Sequence, residues 1–195
     1  METTQLQEVS EEKDLGIIVS DDLKWDKQCT AAVKQANRIL GMIKRNFVDS
    51  LKETILALYK SLVRPHLEYC IPVWNPYLVK DVKLIEGVQR RATEMIQESQ
   101  HWKYDDRLNY LRLMRLERRV RNDLIETFNI TKGMYDVNKE VFFELDDSGG
   151  RGHEQKMFQK RFRLDIRKFV FSNRVVNDWN SLSSQCVNSC TVNTF

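Results

Sequence analysis

Leu58-Tyr59-Lys60-Ser61-Leu62-Val63-Arg64-Pro65-His66-Leu67-Glu68-Tyr69-Cys70, with Val73-Trp74 just beyond, is the stretch whose reading decides the fold. Leu51, Ile55, Leu58 and Leu62 recur at three- and four-residue steps, which predicts the apolar side of a helix. Proline has no amide donor and crowds the preceding turn, so the helical path is expected to be disturbed at Pro65. Ser50-Leu51-Lys52-Glu53 has the form of a capping box, and it is expected to start this helix.

Upstream, Cys29, Ala32, Val33, Ala36, Ile39, Leu40, Ile43 and Phe47 mark one buried face of a second helix. Lys27, Lys34, Gln35, Arg38, Lys44 and Arg45 fall on its polar side. Ser20-Asp21-Asp22 offers capping and acidic groups at its start. The short link between the two helices implies an antiparallel pair. Leu15-Gly16-Ile17-Ile18-Val19 is short and β-branched, so a strand is expected, hairpinned across Glu11-Glu12 with Leu6 to Val9.

Downstream, Trp74-Asn75-Pro76 breaks the chain. A helix follows from about Lys80 to Ile96, striped by Val82, Ile85, Val88, Gln89, Ala92, Met95 and Ile96. Tyr104, Leu108 and Leu111 predict a short helix, and Leu116, Val120, Leu124 and Phe128 a longer one over Arg115 to Lys132, closed by Gly133. Asp146-Asp147-Ser148-Gly149-Gly150-Arg151-Gly152 is a loop. Phe158, Phe162, Leu164 and Ile166 alternate with Arg161, Arg163, Asp165 and Arg167, as in an extended strand with one apolar and one mainly cationic face. Ser172 is expected to cap a last short helix that turns Val175, Val176 and Trp179 inward, and 183–195 is expected to be a mobile tail.

The 195 residues are 42% hydrophobic and 30% charged, with 7 Gly and 3 Pro, a composition that favours helices over linker-rich architecture. The fold class expected is therefore mainly α, with a short N-terminal strand or hairpin and a short extended basic segment near the C-terminus. Cys29 and Cys70 look like small buried hydrophobes. Cys186 and Cys190 lack the neighbouring histidine or cysteine that a zinc set needs, so no metal and no cofactor is expected. No signal-peptide pattern or membrane-length apolar run is present, which excludes a membrane partner and points to a reducing intracellular compartment, nuclear or cytoplasmic.

Three ordered blocks resemble the reverse transcriptases of jockey-like non-LTR retrotransposons. The first is Lys13-Asp14-Leu15-Gly16-Ile17-Ile18-Val19-Ser20 with Leu23-Lys24-Trp25. The second is the Leu58 to Cys70 run with Val73-Trp74, continuing to Val88-Gln89-Arg90-Arg91-Ala92-Thr93. The third is Arg163-Leu164-Asp165-Ile166-Arg167 with Phe171 through Leu182. The resemblance implies a thumb-like helical bundle: 1–20 as the end of the palm, 21–75 as thumb, and 76–182 as a C-terminal helical extension. It implies a chain that begins inside a domain of the parent enzyme, an RNA-directed DNA polymerase.

Two-metal nucleotidyl transfer needs clustered carboxylates. Asp21-Asp22 sits at an expected helix start and Asp146-Asp147 runs into a glycine loop, so neither fits the aromatic-x-Asp-Asp hairpin of such enzymes, and no polymerase activity is expected. His66, His101 and His153 are scattered, and no nucleophile or phosphate-loop motif is present. From Arg151 to Arg174, by contrast, eight cations face two carboxylates, although the whole chain carries a net charge of only +3. Phosphate neutralisation by such a cluster gives salt-dependent, largely sequence-independent affinity. The candidate nucleic-acid-binding residues are Lys44, Arg45, Arg90, Arg91, Lys160, Arg161, Arg163, Arg167, Lys168 and Arg174, with RNA, DNA or an RNA–DNA duplex as the partner. The alternatives are a helical module that binds a protein or a second copy through surface the palm would cover, or a reading frame without function.

Overall fold

A computed structural model describes residues 8–47, 51–116, 120–146 and 152–195. The described residues are mainly helical, with one antiparallel hairpin near the N-terminus. The chain divides into two compact units, Met1–Glu117 and Arg118–Phe195. That division falls later than residue 75 because the helix after Pro76 packs into the first unit's core.

In the first unit, β1 (Glu11–Asp14) pairs with β2 (Ile17–Ser20) through a two-residue turn at Leu15-Gly16. Both turn residues have positive φ, 45° and 87°, the geometry of a tight type I′ hairpin turn, which glycine tolerates and leucine resists. The strand expected over Leu15 to Val19 therefore starts two residues later. Its partner is Glu11–Asp14 rather than Leu6 to Val9, of which Leu6 and Gln7 lie outside the described residues. Two features protect β2. Ile17 enters the core, and the Ile18 amide donates to Gln28 Oε1 at 3.0 Å, which occupies part of the open edge.

α1 (Asp26–Asn46) buries Cys29, Ala32, Val33, Ala36, Leu40 and Ile43, the stripe expected from the sequence, while Phe47 lies exposed at its end. Each Leu- or Ile-sized side chain so buried contributes about 1.5–3 kcal/mol. Ser20-Asp21-Asp22 does not cap the helix, which begins at Asp26 with no side-chain cap. Asp22 instead accepts from the backbone and ammonium of Lys24 (3.0 and 2.9 Å), and this partner holds its carboxyl below the usual range.

α2 (Lys52–Leu58) passes through a π turn over Tyr59–Val63 into α3 (Arg64–Glu68). Pro65 has no N–H to continue the regular ladder, and the Arg64 amide reaches five residues back to the Tyr59 carbonyl. This wider turn keeps four-residue steps on one face. The buried stripe is therefore Ile55, Tyr59, Val63 and Leu67, whereas Leu51 is 72% and Leu62 42% exposed, contrary to expectation. Ser50, the first residue of the expected capping box, lies outside the described residues. Cys70, exposed rather than buried, takes a left-handed conformation that turns the chain into α4 (Ile71–Trp74). The Trp74 indole N–H closes that turn on the Tyr69 carbonyl at 2.7 Å.

α5 (Val79–Glu94) packs on α1 through Ile85, Val88 and Ala92, and α6 (Tyr104–Leu111) adds Tyr104, Leu108 and Leu111 to the same core. Leu116 belongs to this core too. It does not share a stripe with Phe128 of α7 (Val120–Thr131), which lies in the second unit's core. α7 ends as expected at Gly133, whose positive φ lets the Met134 amide return to the Asn129 carbonyl at 2.9 Å.

The rest of the second unit is built from short helices: α8 (Asp165–Lys168), α9 (Phe171–Arg174), α10 (Val176–Asn180) and α11 (Ser184–Val187). The basic segment from Phe158 to Phe162 is neither helix nor regular strand. One antiparallel bridge, Leu145 to Met157, precedes it, and α8 takes over where strand alternation is expected to continue through Arg167. Val175, Val176 and Trp179 turn inward as expected, but Ser172 lies within α9 and caps nothing. Residues 183–195 are no loose tail. They supply buried Val187 and a Phe195 ring stacked 6.1 Å from Trp179.

Candidate nucleic-acid interface

In the first unit the α1–α5 packing sorts the four candidate cations. Lys44, in the last turn of α1, and Arg91, on α5, line a shared cleft of about 610 Å³. Gly41 keeps its α1 wall open, and Leu40 and Met95 give it an apolar floor. Asn37, Gln97 and Gln100 add amide groups. The Arg91 guanidinium is aimed by Asn37 Oδ1, which accepts from Nε at 3.2 Å and Nη2 at 2.9 Å. Glu94, the cleft's carboxylate, is paired with Arg107 at 3.1 Å. Arg45 and Arg90 are exposed but do not line the cleft, and Arg90 lies 4.6 Å over the Tyr104 ring.

In the second unit Arg161, Arg163, Arg167 and Lys168 are exposed, and Lys160 pairs with Glu144 at 3.1 Å. Arg174 must be withdrawn from the candidates. Its Nε and Nη2 donate to the two carboxylate oxygens of Asp123, each at 2.8 Å, and Nη1 donates to the Phe169 carbonyl at 3.1 Å. Asp123 is buried, so this pair is part of the fold. Arg151, counted in the basic run, lies outside the described residues.

A buried polar network stands outside the expectations from sequence. Gln89, fully buried on α5, accepts from the Tyr59 hydroxyl at 2.9 Å and donates to the Met114 carbonyl at 3.0 Å and to the Tyr104 hydroxyl at 3.1 Å. The Tyr104 hydroxyl also donates to Glu86, whose other oxygen accepts from the Leu116 amide at 2.8 Å. Burial pushes both phenols up, and for Tyr104 the bond to Glu86 adds to it. The network fastens Leu113–Leu116 onto α5, so it is a brace for the first unit. Its one signal in the sequence is Gln89, a polar residue on an apolar stripe.

Among the described residues, no three His, Cys, Asp or Glu side chains are grouped to hold a metal ion. No described helix is long and apolar enough to cross a membrane. His66 is half-buried, His101 exposed, and His153 buried with Nε2 3.0 Å from the Trp179 carbonyl. The four cysteines form no disulfide. No protein-family model, curated protein or solved structure matches the chain.

Proposed function

We propose that the chain is a non-catalytic relative of the thumb and C-terminal regions of a retrotransposon reverse transcriptase, and that it holds nucleic acid through phosphates. The observation that carries the reading is the α1–α5 cleft. There the cations of two separate helices, Lys44 and Arg91, meet beside amide groups, and the lining carboxylate Glu94 is already paired. A held guanidinium beside a lysine and hydrogen-bonding amides suits a phosphodiester backbone better than an apolar ligand. The exposed Arg161, Arg163, Arg167 and Lys168 give the second unit its own phosphate-binding groups. The three sequence blocks supply the family part of the proposal.

Fluorescence anisotropy against an RNA–DNA duplex across a salt series tests it. Affinity is expected to fall with salt. Lys44→Gln with Arg91→Gln is expected to flatten the slope of log K against log salt by about 1.8, near 0.9 for each phosphate left without its cation. Absence of binding to duplex and single strand alike at low salt overturns the reading. Nucleotide incorporation on a primed template overturns its non-catalytic part. A second reading, self-association, draws on exposed Leu15, Tyr69 and Val73, with the Tyr69 hydroxyl donating to the Leu15 carbonyl at 3.0 Å. A dimer by light scattering in a chain that binds no nucleic acid would favour it.

A further inference from the structure

We propose that the second unit grips single-stranded nucleic acid by taking one unstacked base into the pocket walled by Phe142, Phe158 and Phe162, with Lys160 and Arg167 at the flanking phosphates. The inference rests on the nucleic-acid reading above and names the form of the ligand and the place it enters.

The pocket holds about 290 Å³. That is at the small end of the ~300–1,000 Å³ typical of small-molecule sites, enough for a flat ring and too little for a base pair. Its floor is rigid. Met157 and Val176 are buried there, and Asn180 clamps the Met157 backbone by accepting from its amide at 2.9 Å and donating to its carbonyl at 2.8 Å. Phe143, also buried, is braced against the Phe171 ring at 5.8 Å.

The walls are less satisfied than the floor. Phe158 is anchored by its amide on the Glu144 carbonyl at 2.7 Å, yet the residue is 50% exposed. Phe142 is exposed as well. A fixed aromatic face left in water beside a shaped recess is a platform on which a base can stack, and such stacking tolerates any sequence. The rim is polar. Arg167 sits on α8, where Asn173 Nδ2 donates to its carbonyl at 2.7 Å. Lys160 pairs with Glu144 at 3.1 Å, and both line the pocket with Arg167, so two cations and one carboxylate belong to it. Glu144 can accept from an exocyclic amine of the inserted base, as carboxylates do from cytosine. Arg161, Arg163 and Lys168 lie exposed on the same segment to follow the strand on either side.

Bases within a duplex have both faces covered, so this arrangement selects unpaired strands. The test is anisotropy of the full chain with labelled oligo(dC), oligo(rC) and a duplex of equal length. The single strands are expected to bind more tightly than the duplex. Phe158→Ala and Phe158→Leu are expected to lower single-strand affinity by roughly tenfold, the value of one stacked base, without changing the salt slope. Phe158→Trp is expected to restore it. Lys160→Gln with Arg167→Gln is expected to flatten the slope instead. Salt-dependent binding that is indifferent to Phe158→Leu, in a variant with unchanged circular dichroism, overturns the pocket and leaves the broader reading standing. Loss of all binding by the unmodified chain overturns both.

Discussion

The two units solve the same problem with different materials. The first is organised on two long helices, α1 with 21 residues and α5 with 16, whose apolar faces meet in one core with the shorter elements around them. The second has α7 and then helices of four or five residues, too short to carry a stripe of their own. Its apolar core, Phe128, Met157, Val176 and Trp179 among others, is tied together by side chains that bond distant backbone or each other: Asn180 on Met157, the Trp179 indole on the Gln155 carbonyl at 2.8 Å, and Arg174 on Asp123. Where helices are long, periodicity positions the core. Where they are short, individual polar residues do, and cations there divide between fold and surface.

The sharpest way to break that comparison is to remove the Arg174 side chain. Arg174→Ala leaves the Asp123 carboxylate buried and unpaired, at a cost of about 3–5 kcal/mol. Hydrogen exchange should show amide protection collapsing across the second unit while α1 and α5 keep theirs. Arg174→Met with Asp123→Leu should recover most of the loss, because the burial penalty goes with the charges. Equal loss in both units would mean that the division between them is not an energetic one.

The same contrast explains what is legible in the sequence. The α1 stripe from Cys29 to Ile43 can be read because it repeats over about four turns. The α2–α3 stripe falls one position away from its expected place, since the π turn before Pro65 changes the helical period. Leu116 and Phe128 look like one helix face because periodicity carries no information about which core a residue joins. Of the candidate cations, Lys44 and Arg91 stand out as basic positions in the sequence, but their meeting in a cleft depends on how α1 crosses α5. Arg174 escapes for a plainer reason. Its partner Asp123 is 51 positions away, and nothing local distinguishes a structural arginine from an exposed one.

A smaller effect concerns the first unit. Tyr59→Phe keeps the buried ring but leaves Gln89 Oε1 without its donor. An unsatisfied buried acceptor costs about 1–3 kcal/mol, and the loss should appear as a lowered urea midpoint with an unchanged m-value. No change would mean that the network is slack, and that the long-helix core alone sustains the unit.

The smallest expected effect belongs to Asp81, buried in the first turn of α5. Burial raises its carboxyl above the usual range; Lys80 opposes and Asp26 pushes the same way as burial. The folded chain therefore holds that proton to higher pH than the unfolded chain does. Stability falls as pH rises through the window from the ordinary carboxylate range to the raised value, and above that window the loss is complete. Asp81→Asn should raise the urea midpoint at neutral pH and remove that part of the pH dependence. The opposing force is the helix dipole, which favours a negative charge at this end by about 0.3–1 kcal/mol. A lowered midpoint at neutral pH would show the dipole outweighing burial, and would make the start of α5 an electrostatic feature rather than part of the packed core.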